Sequence, residues 1–246
     1  MEQRKRFAFE QAEYGNISKW CKRLHYRAAT NHFLSSLLWA TLALLTAVLL
    51  ADDVKPLKVV PKGPETEKRY PEKDPVSMPF YIFNNSVLPP VKNFCPSGYM
   101  PDGQGISMMG AYRDTLKEGF PGLKITFKAD TYAGWGGVFW QNPPNNWGNL
   151  DGGYNLTKAK KVTFWARGDK GGETVEFKIG GITGSYPDSD LISSGKISLT
   201  PAWKQYSIDL TRANLRYISG GFCFSVERNY NPNGCIFYLD DILYED

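Results

Sequence analysis

Between Tyr132 and Tyr154 the chain reads YAGWGGVFWQNPPNNWGNLDGGY. Trp135, Trp140 and Trp147 stand there beside the amide side chains of Gln141, Asn142 and Asn146. Indole rings offer flat apolar faces, and carboxamides offer both donors and acceptors. A ligand that matches both has apolar faces and many hydroxyls, which describes a sugar. Six glycines and the Pro143-Pro144 pair lie in the same stretch, so it reads as a long loop rather than a core strand or helix. The competing reading is a loop folded on itself, its tryptophans acting as plugs.

Three further sets of residues could do chemistry. Trp165 and Arg167, in KKVTFWARG, alternate with the apolar Val162, Phe164 and Ala166. They would stand together on a polar sheet face, either as a second sugar contact or as a salt-linked surface shielded by a loop. Asp240 and Asp241 are adjacent hard oxygen ligands for which Ca²⁺ is the expected cation, with two solvated edge acids as the alternative. Asp188 and Asp190 are the nearest candidates for a hydrolytic carboxylate pair, but they lie in a Tyr-Pro-Asp-Ser-Asp turn. Both histidines, His25 and His32, precede the first long apolar run, which leaves the rest of the chain without Ser-His-Asp or Cys-His chemistry. No catalytic residue is assigned, and the chain is expected not to be an enzyme.

These residues need a scaffold, and the apolar periodicity supplies one. FYIF (80–83), KITFKAD (124–130), KKVTFWARG (160–168), TVEFKIGG (174–181), WKQYSIDL (203–210), GGFCFSVE (220–227) and CIFYLDDILYE (235–245) are short, period-two or apolar runs between turn residues. That pattern predicts an all-β sandwich. One helix is expected around Ala111–Glu118. The Gly168–Gly172 turn cluster suggests a hairpin in which Phe164 pairs with Phe177, Val162 with Ile179 and Ala166 with Val175, so that core meets core. Trp165 and Arg167 would then share an outer face with Glu176 and Lys178. In the last strand, Phe237 and Leu239 occupy odd positions but Ile242 and Tyr244 even ones, which implies a bulge or bend at Asp240-Asp241. Cys223 and Cys235 flank the loop between the last two runs and are placed to be cross-strand neighbours in a final hairpin, where export would permit a disulfide.

The amino-terminal third differs in kind. Residues 1–32 carry seven Lys/Arg and three Asp/Glu, whereas residues 33–246 carry 22 of each. The formal net charge of +4 is therefore confined to the first segment, and the remainder offers no basic face for nucleic acid. Phe33–Ala51 is free of charge and as a helix would span roughly 28 Å, close to a bilayer core. Basic residues before it and Asp52-Asp53 after it place the amino terminus in the cytoplasm and the remainder outside. The segment reads as an uncleaved anchor, with a removed signal as the alternative. Residues 52–79 hold six prolines among charged side chains and read as an extended spacer. The expected organisation is thus a basic segment (1–32), an anchor or signal (33–51), a linker (52–79) and a β-domain (80–246).

GWGGVFWQNPPNNWGNLDGGYNL, TFWARGDKGG, FKIGGITGSYPDSD, WKQYSIDL and the ending FYLDDI together resemble carbohydrate-binding modules of the galactose-binding-like jelly-roll type. FCPSGYMPDG is similar to the entry segment of exported bacterial versions. The resemblance spans residues 80–246. It implies a two-sheet jelly roll, a structural calcium near the Asp-Asp strand, and binding of polysaccharide or oligosaccharide on a concave face or at loop tips. The expected ligand-binding residues are Trp135, Trp140, Gln141, Asn142, Asn146, Trp147, Trp165 and Arg167. A structural or protein-binding domain is the alternative.

Overall fold

The computed structural model of the chain describes residues 70–84, 93–117 and 120–246, with the side chains of 111–121 excluded. The expected basic segment (1–32) and anchor (33–51), and most of the linker (52–79), lie outside the described residues. Among the described residues no helix is long and apolar enough to cross a membrane. Eleven strands follow in order: β1 (Phe80–Phe83), β2 (Cys95–Met100), β3 (Ile106–Lys117), β4 (Phe120–Phe127), β5 (Trp135–Gln141), β6 (Lys161–Gly168), β7 (Thr174–Gly180), β8 (Leu191–Ser198), β9 (Lys204–Asp209), β10 (Gly220–Glu227) and β11 (Cys235–Glu245). Each of the seven expected runs holds a strand. Residues 111–117, all but the last residue of the expected helix Ala111–Glu118, continue β3 instead.

The strands form two antiparallel sheets. One has the order β3-β4-β11-β6-β9 with β1 also on β11; the other has the order β2-β5-β10-β7-β8. The pairings β4 with β11, β5 with β10, β6 with β9 and β7 with β8 nest inside one another. They describe one long hairpin, folded between β7 and β8 and rolled so that successive strands alternate between sheets. That is a jelly roll. Between the sheets lie Leu123, Ile125, Val162, Phe164, Phe237 and Leu239 from one side and Val138, Trp140, Val175, Phe177, Phe222 and Phe224 from the other, all at most 1% exposed.

The rolled topology corrects both expected hairpins. β6 and β7 do not pair: β6 bonds to β11 and β9, and β7 to β10 and β8. Phe164 and Phe177 meet all the same, ring centroids 4.5 Å apart, but across the core rather than along a ladder. β10 and β11 also lie in different sheets, and Cys223 and Cys235 are both free thiols. Burial pushes the Cys223 thiol well up and that of Cys235 to about 12. The expected bulge in the last strand is present. The β11–β6 register shifts between Asp240 and Leu243, and Asp241 takes a positive φ of 43°.

Seven of the 23 residues in the stretch read as loop form an interior strand. Trp135–Gln141 forms β5, bonded to β2 and β10. Its glycines serve close approach rather than chain reversal. A Cβ on Gly136 would lie 2.7 Å from the Ile106 side chain, and one on Gly137 would lie 2.5 Å from the Phe224 carbonyl. Residues 70–79, expected as the end of the spacer, lie along the domain. Val76 and Met78 pack against the core, and Val76 N–H donates to the Asn155 carbonyl at 3.0 Å.

Candidate functional site

Strand register places two rungs across the outer face of the five-stranded sheet. Met100, Gly137, Ser225, Glu176 and Lys196 make one; Gly98, Phe139, Cys223, Lys178 and Ser193 make the other. Charges on these rungs are paired. Lys178 Nζ lies 3.1 Å from Glu176 Oε2, and Ser193 Oγ donates to Glu176 Oε1 at 2.6 Å. Partial burial raises the Glu176 carboxyl, but the Ser193 hydroxyl, Lys178 and Lys196 outweigh it and hold the group below its usual range. At one end of the face Lys196 Nζ donates to Glu227 Oε1 and lies 4.5 Å from the centre of the half-exposed Tyr230 ring. The bond to Glu227 raises the Lys196 pKa. Trp135 stands beside Glu227, its partner in register.

At the other end, Phe139, Ile182 and Cys223 form a small buried cluster with Met100 against it. Trp147 stands edge-on over Phe139, ring centroids 6.0 Å apart and nearly perpendicular, and stays 45% exposed. The turn that carries it is built by the amides. Gln141 is fully buried; its Nε2 donates to the Asn146 carbonyl at 2.8 Å and its Oε1 accepts from Ser97 Oγ at 2.9 Å. Asn146 is also fully buried. Its Oδ1 accepts from Gly148 N (3.0 Å) and Leu150 N (3.1 Å), and its Nδ2 donates to the Leu150 carbonyl (2.9 Å). Asn142 Nδ2 donates to the Asn93 carbonyl at 2.7 Å and to Tyr154 Oη at 3.1 Å. Gly148 is forced by close approach, since a Cβ there would overlap the Thr183 carbonyl at 1.7 Å. The turn is thereby fastened to the 181–188 loop, whose Tyr186 N–H donates to the Gly148 carbonyl at 2.8 Å.

The expected ligand residues are therefore divided. Trp135 and Trp147 flank one face. Trp140 points into the core, edge-on to Phe222 (5.5 Å) and Phe224 (6.1 Å), and offers a ligand nothing. Gln141, Asn142 and Asn146 spend their hydrogen bonds on the turn. Trp165 and Arg167 lie on the outer face of the other sheet, across the molecule from Glu176 and Lys178. There the Arg167 guanidinium sits 4.1 Å from the Tyr238 ring centre and 5.8 Å from that of Trp203. It donates to the carbonyls of Gly168 (3.1 Å) and Pro201 (3.4 Å). The 200–203 turn reaches over this face, and Trp203 comes close enough that a Cβ on Gly122 would lie 3.4 Å from its ring. Trp165 is half-buried in the same sheet.

The Asp188 and Asp190 carboxylates are taken up by loop hydrogen bonds. Asp188 is 9% exposed and accepts from Ser219 Oγ (2.7 Å), Ile182 N (3.0 Å) and Gly220 N (3.2 Å), which pins the 181–188 loop to β10. Asp190 accepts from Leu191 N (2.8 Å) and Asn214 N (2.8 Å). Asp240 is buried and accepts from the Asp241 amide at 2.8 Å. Among the described residues no group of three or more His, Cys, Asp or Glu is arranged to hold a metal. The sequence reading missed Glu176, Lys178, Ser193, Lys196, Glu227 and Tyr230 as neighbours of the aromatic stretch. The alternation in TVEFKIGG marks Glu176 and Lys178 as outward-facing, but only the sheet order shows which face that is.

No protein-family model matches the chain, and no curated protein matches it. Solved structures do. A family 11 carbohydrate-binding module from Clostridium thermocellum, in complex with a β-1,3-1,4-mixed-linked tetrasaccharide, is 16% identical, with a TM-score of 0.47 over 69% of this chain and 97% of its own. A family 30 carbohydrate-binding module is 17% identical, with a TM-score of 0.46 over 69% and 99%. A point variant of a family 29 carbohydrate-binding module is 15% identical, with a TM-score of 0.38 over 69% and 92%. The chain is similar to these in outline; no ligand is carried over from them.

Proposed function

We propose that the protein is a non-catalytic glycan-binding module displayed on the outer side of the cytoplasmic membrane. The single observation that carries the binding role is Trp147. A large aromatic side chain, 45% exposed, is held by buried amides beside a sheet face of paired polar groups. An exposed indole on a rigid turn suits stacking on a sugar ring, and the Glu176, Ser193, Lys178 and Lys196 groups suit its hydroxyls. The membrane role rests on the uncharged Phe33–Ala51 and the basic residues before it. Titration of soluble oligosaccharides and insoluble polysaccharides against residues 70–246 tests the binding role. Saturable binding to at least one glycan, without release of reducing sugar, is expected. A blank across a broad panel removes the glycan reading, and reducing-sugar release replaces it with an enzyme. For the membrane role, a reporter fused at residue 30 should stay cytoplasmic and one fused at residue 70 should be exported; export of the first contradicts it.

A further inference from the structure

The turn that carries Trp147 closes on itself. Gly153 N–H donates to the Asn142 carbonyl at 2.9 Å and to Asn142 Oδ1 at 3.1 Å. From this neck a chain of polar contacts leads away from the sheet face. Gly152 N–H donates to Tyr217 Oη at 2.8 Å, the Tyr217 hydroxyl donates to Asp151 Oδ1 at 3.1 Å, and Lys73 Nζ lies 3.1 Å from the same oxygen. Lys73 also lies 5.5 Å from the centre of the Tyr217 ring, on which Tyr70 stacks at 5.9 Å. The lysine is itself fixed in place. Asn155 Nδ2 donates to its carbonyl at 2.8 Å, and Pro75 and Asn155 form a parallel bridge. Burial, with Asp151 adding to it, pushes the Tyr217 hydroxyl up to about 12, so it keeps its proton for Asp151.

We propose that Lys73, acting through Asp151 and Tyr217, is a positioning residue for the Trp147 turn, and that residues 70–79 belong to the binding device. This rests on the glycan reading of the five-stranded face. The Asp151 side chain is half exposed, so the ion pair adds little to global stability. Its effect falls on local opening of the turn rather than on global unfolding. A ligand that needs the turn in one position loses apparent affinity by the fraction of time the turn spends elsewhere.

The test compares the full chain with its Lys73→Ala and Lys73→Arg variants by glycan titration, thermal melting and amide hydrogen exchange over residues 146–153. Lys73→Ala should weaken glycan binding roughly three- to fivefold, speed exchange across the turn, and leave the melting temperature nearly unchanged. Lys73→Arg, which keeps a cation beside Asp151 and Tyr217, should restore both affinity and exchange. Unchanged exchange in Lys73→Ala overturns the proposal, and so does faster exchange with unchanged affinity. If the unsubstituted chain binds no glycan, the reading of the face fails. Exchange then decides the clamp alone: faster exchange in Lys73→Ala sustains it and unchanged exchange removes it.

Discussion

Trp147 and Trp140 are seven residues apart and chemically identical, yet one is 45% exposed and the other fully buried. Their substitutions should diverge accordingly. Trp147→Ala should weaken glycan binding about tenfold or more, because an aromatic anchor is worth at least ~1.4–2 kcal/mol. Its melting temperature should fall only slightly, since the ring meets Phe139 by one edge. A large drop in melting temperature with unchanged affinity per folded molecule would show Trp147 to be a plug. Glu176 carries a pH dependence. Its carboxyl is held below the usual range in the fold, so the unfolded chain binds the proton more readily and stability rises with pH through this group. The contribution is present above the ordinary carboxylate range and is lost as pH falls through the lowered folded value. Melting scans between pH 2 and 6 should show a shallower acid-side decline for Glu176→Gln than for the unsubstituted protein, and superimposable profiles would contradict the assignment.

At the scale of elements, the decisive fact is that β6 and β7 are neighbours in sequence but belong to opposite sheets. Period-two alternation reports which residues of a strand share a face; it carries no information about which strand lies alongside. In a rolled hairpin the partner of β6 is β9, some forty residues on, while the strand after it crosses the core. Phe164 and Phe177 are both fully buried, and both also meet Phe222, at 5.3 and 5.8 Å. Each alanine substitution should cost roughly 3–5 kcal/mol in urea unfolding. The double variant should lose less than the sum by about 0.5–3 kcal/mol, because one cavity serves both deletions. Strictly additive losses would mean that the rings do not touch.

At the scale of the whole molecule, the folded unit extends upstream of Phe80. Val76 and Met78 pack on the core, and the contacts of Lys73 and Tyr70 tie the segment to the 151–155 turn and Tyr217. A fragment beginning at Phe80 should therefore be less stable than one beginning at Tyr70 by about 2–4 kcal/mol, the sum of two half-buried apolar side chains and a few hydrogen bonds. Chemical denaturation of the two fragments measures this; equal midpoints and slopes would make residues 70–79 a passive lead-in. The two outer faces also differ at this scale. The six-stranded sheet has its Arg167 capped by Tyr238 and Trp203, whereas the five-stranded sheet keeps Trp147 and Tyr230 exposed at its ends.

The all-β class, the seven expected strands and the bulge at Asp240-Asp241 were legible in the chain, because alternation and its interruption are local properties. β5 was not, since its glycines mimic loop composition while answering to Ile106 and the Phe224 carbonyl, which come from distant strands. The aromatic and amide residues of the stretch from Tyr132 to Tyr154 point to a candidate site by type alone. Which of them face solvent is decided by the roll: Trp140 turns inward with the core parity of β5, and Gln141 and Asn146 are consumed in holding Trp147 outward. Glu176, Ser193 and Lys196 join that face through cross-strand register, and Lys73 meets Asp151 and Tyr217 from far along the chain. Local sequence sets side-chain direction along a strand, but only closure of the two sheets brings distant strands into register and so decides which polar groups surround one exposed ring.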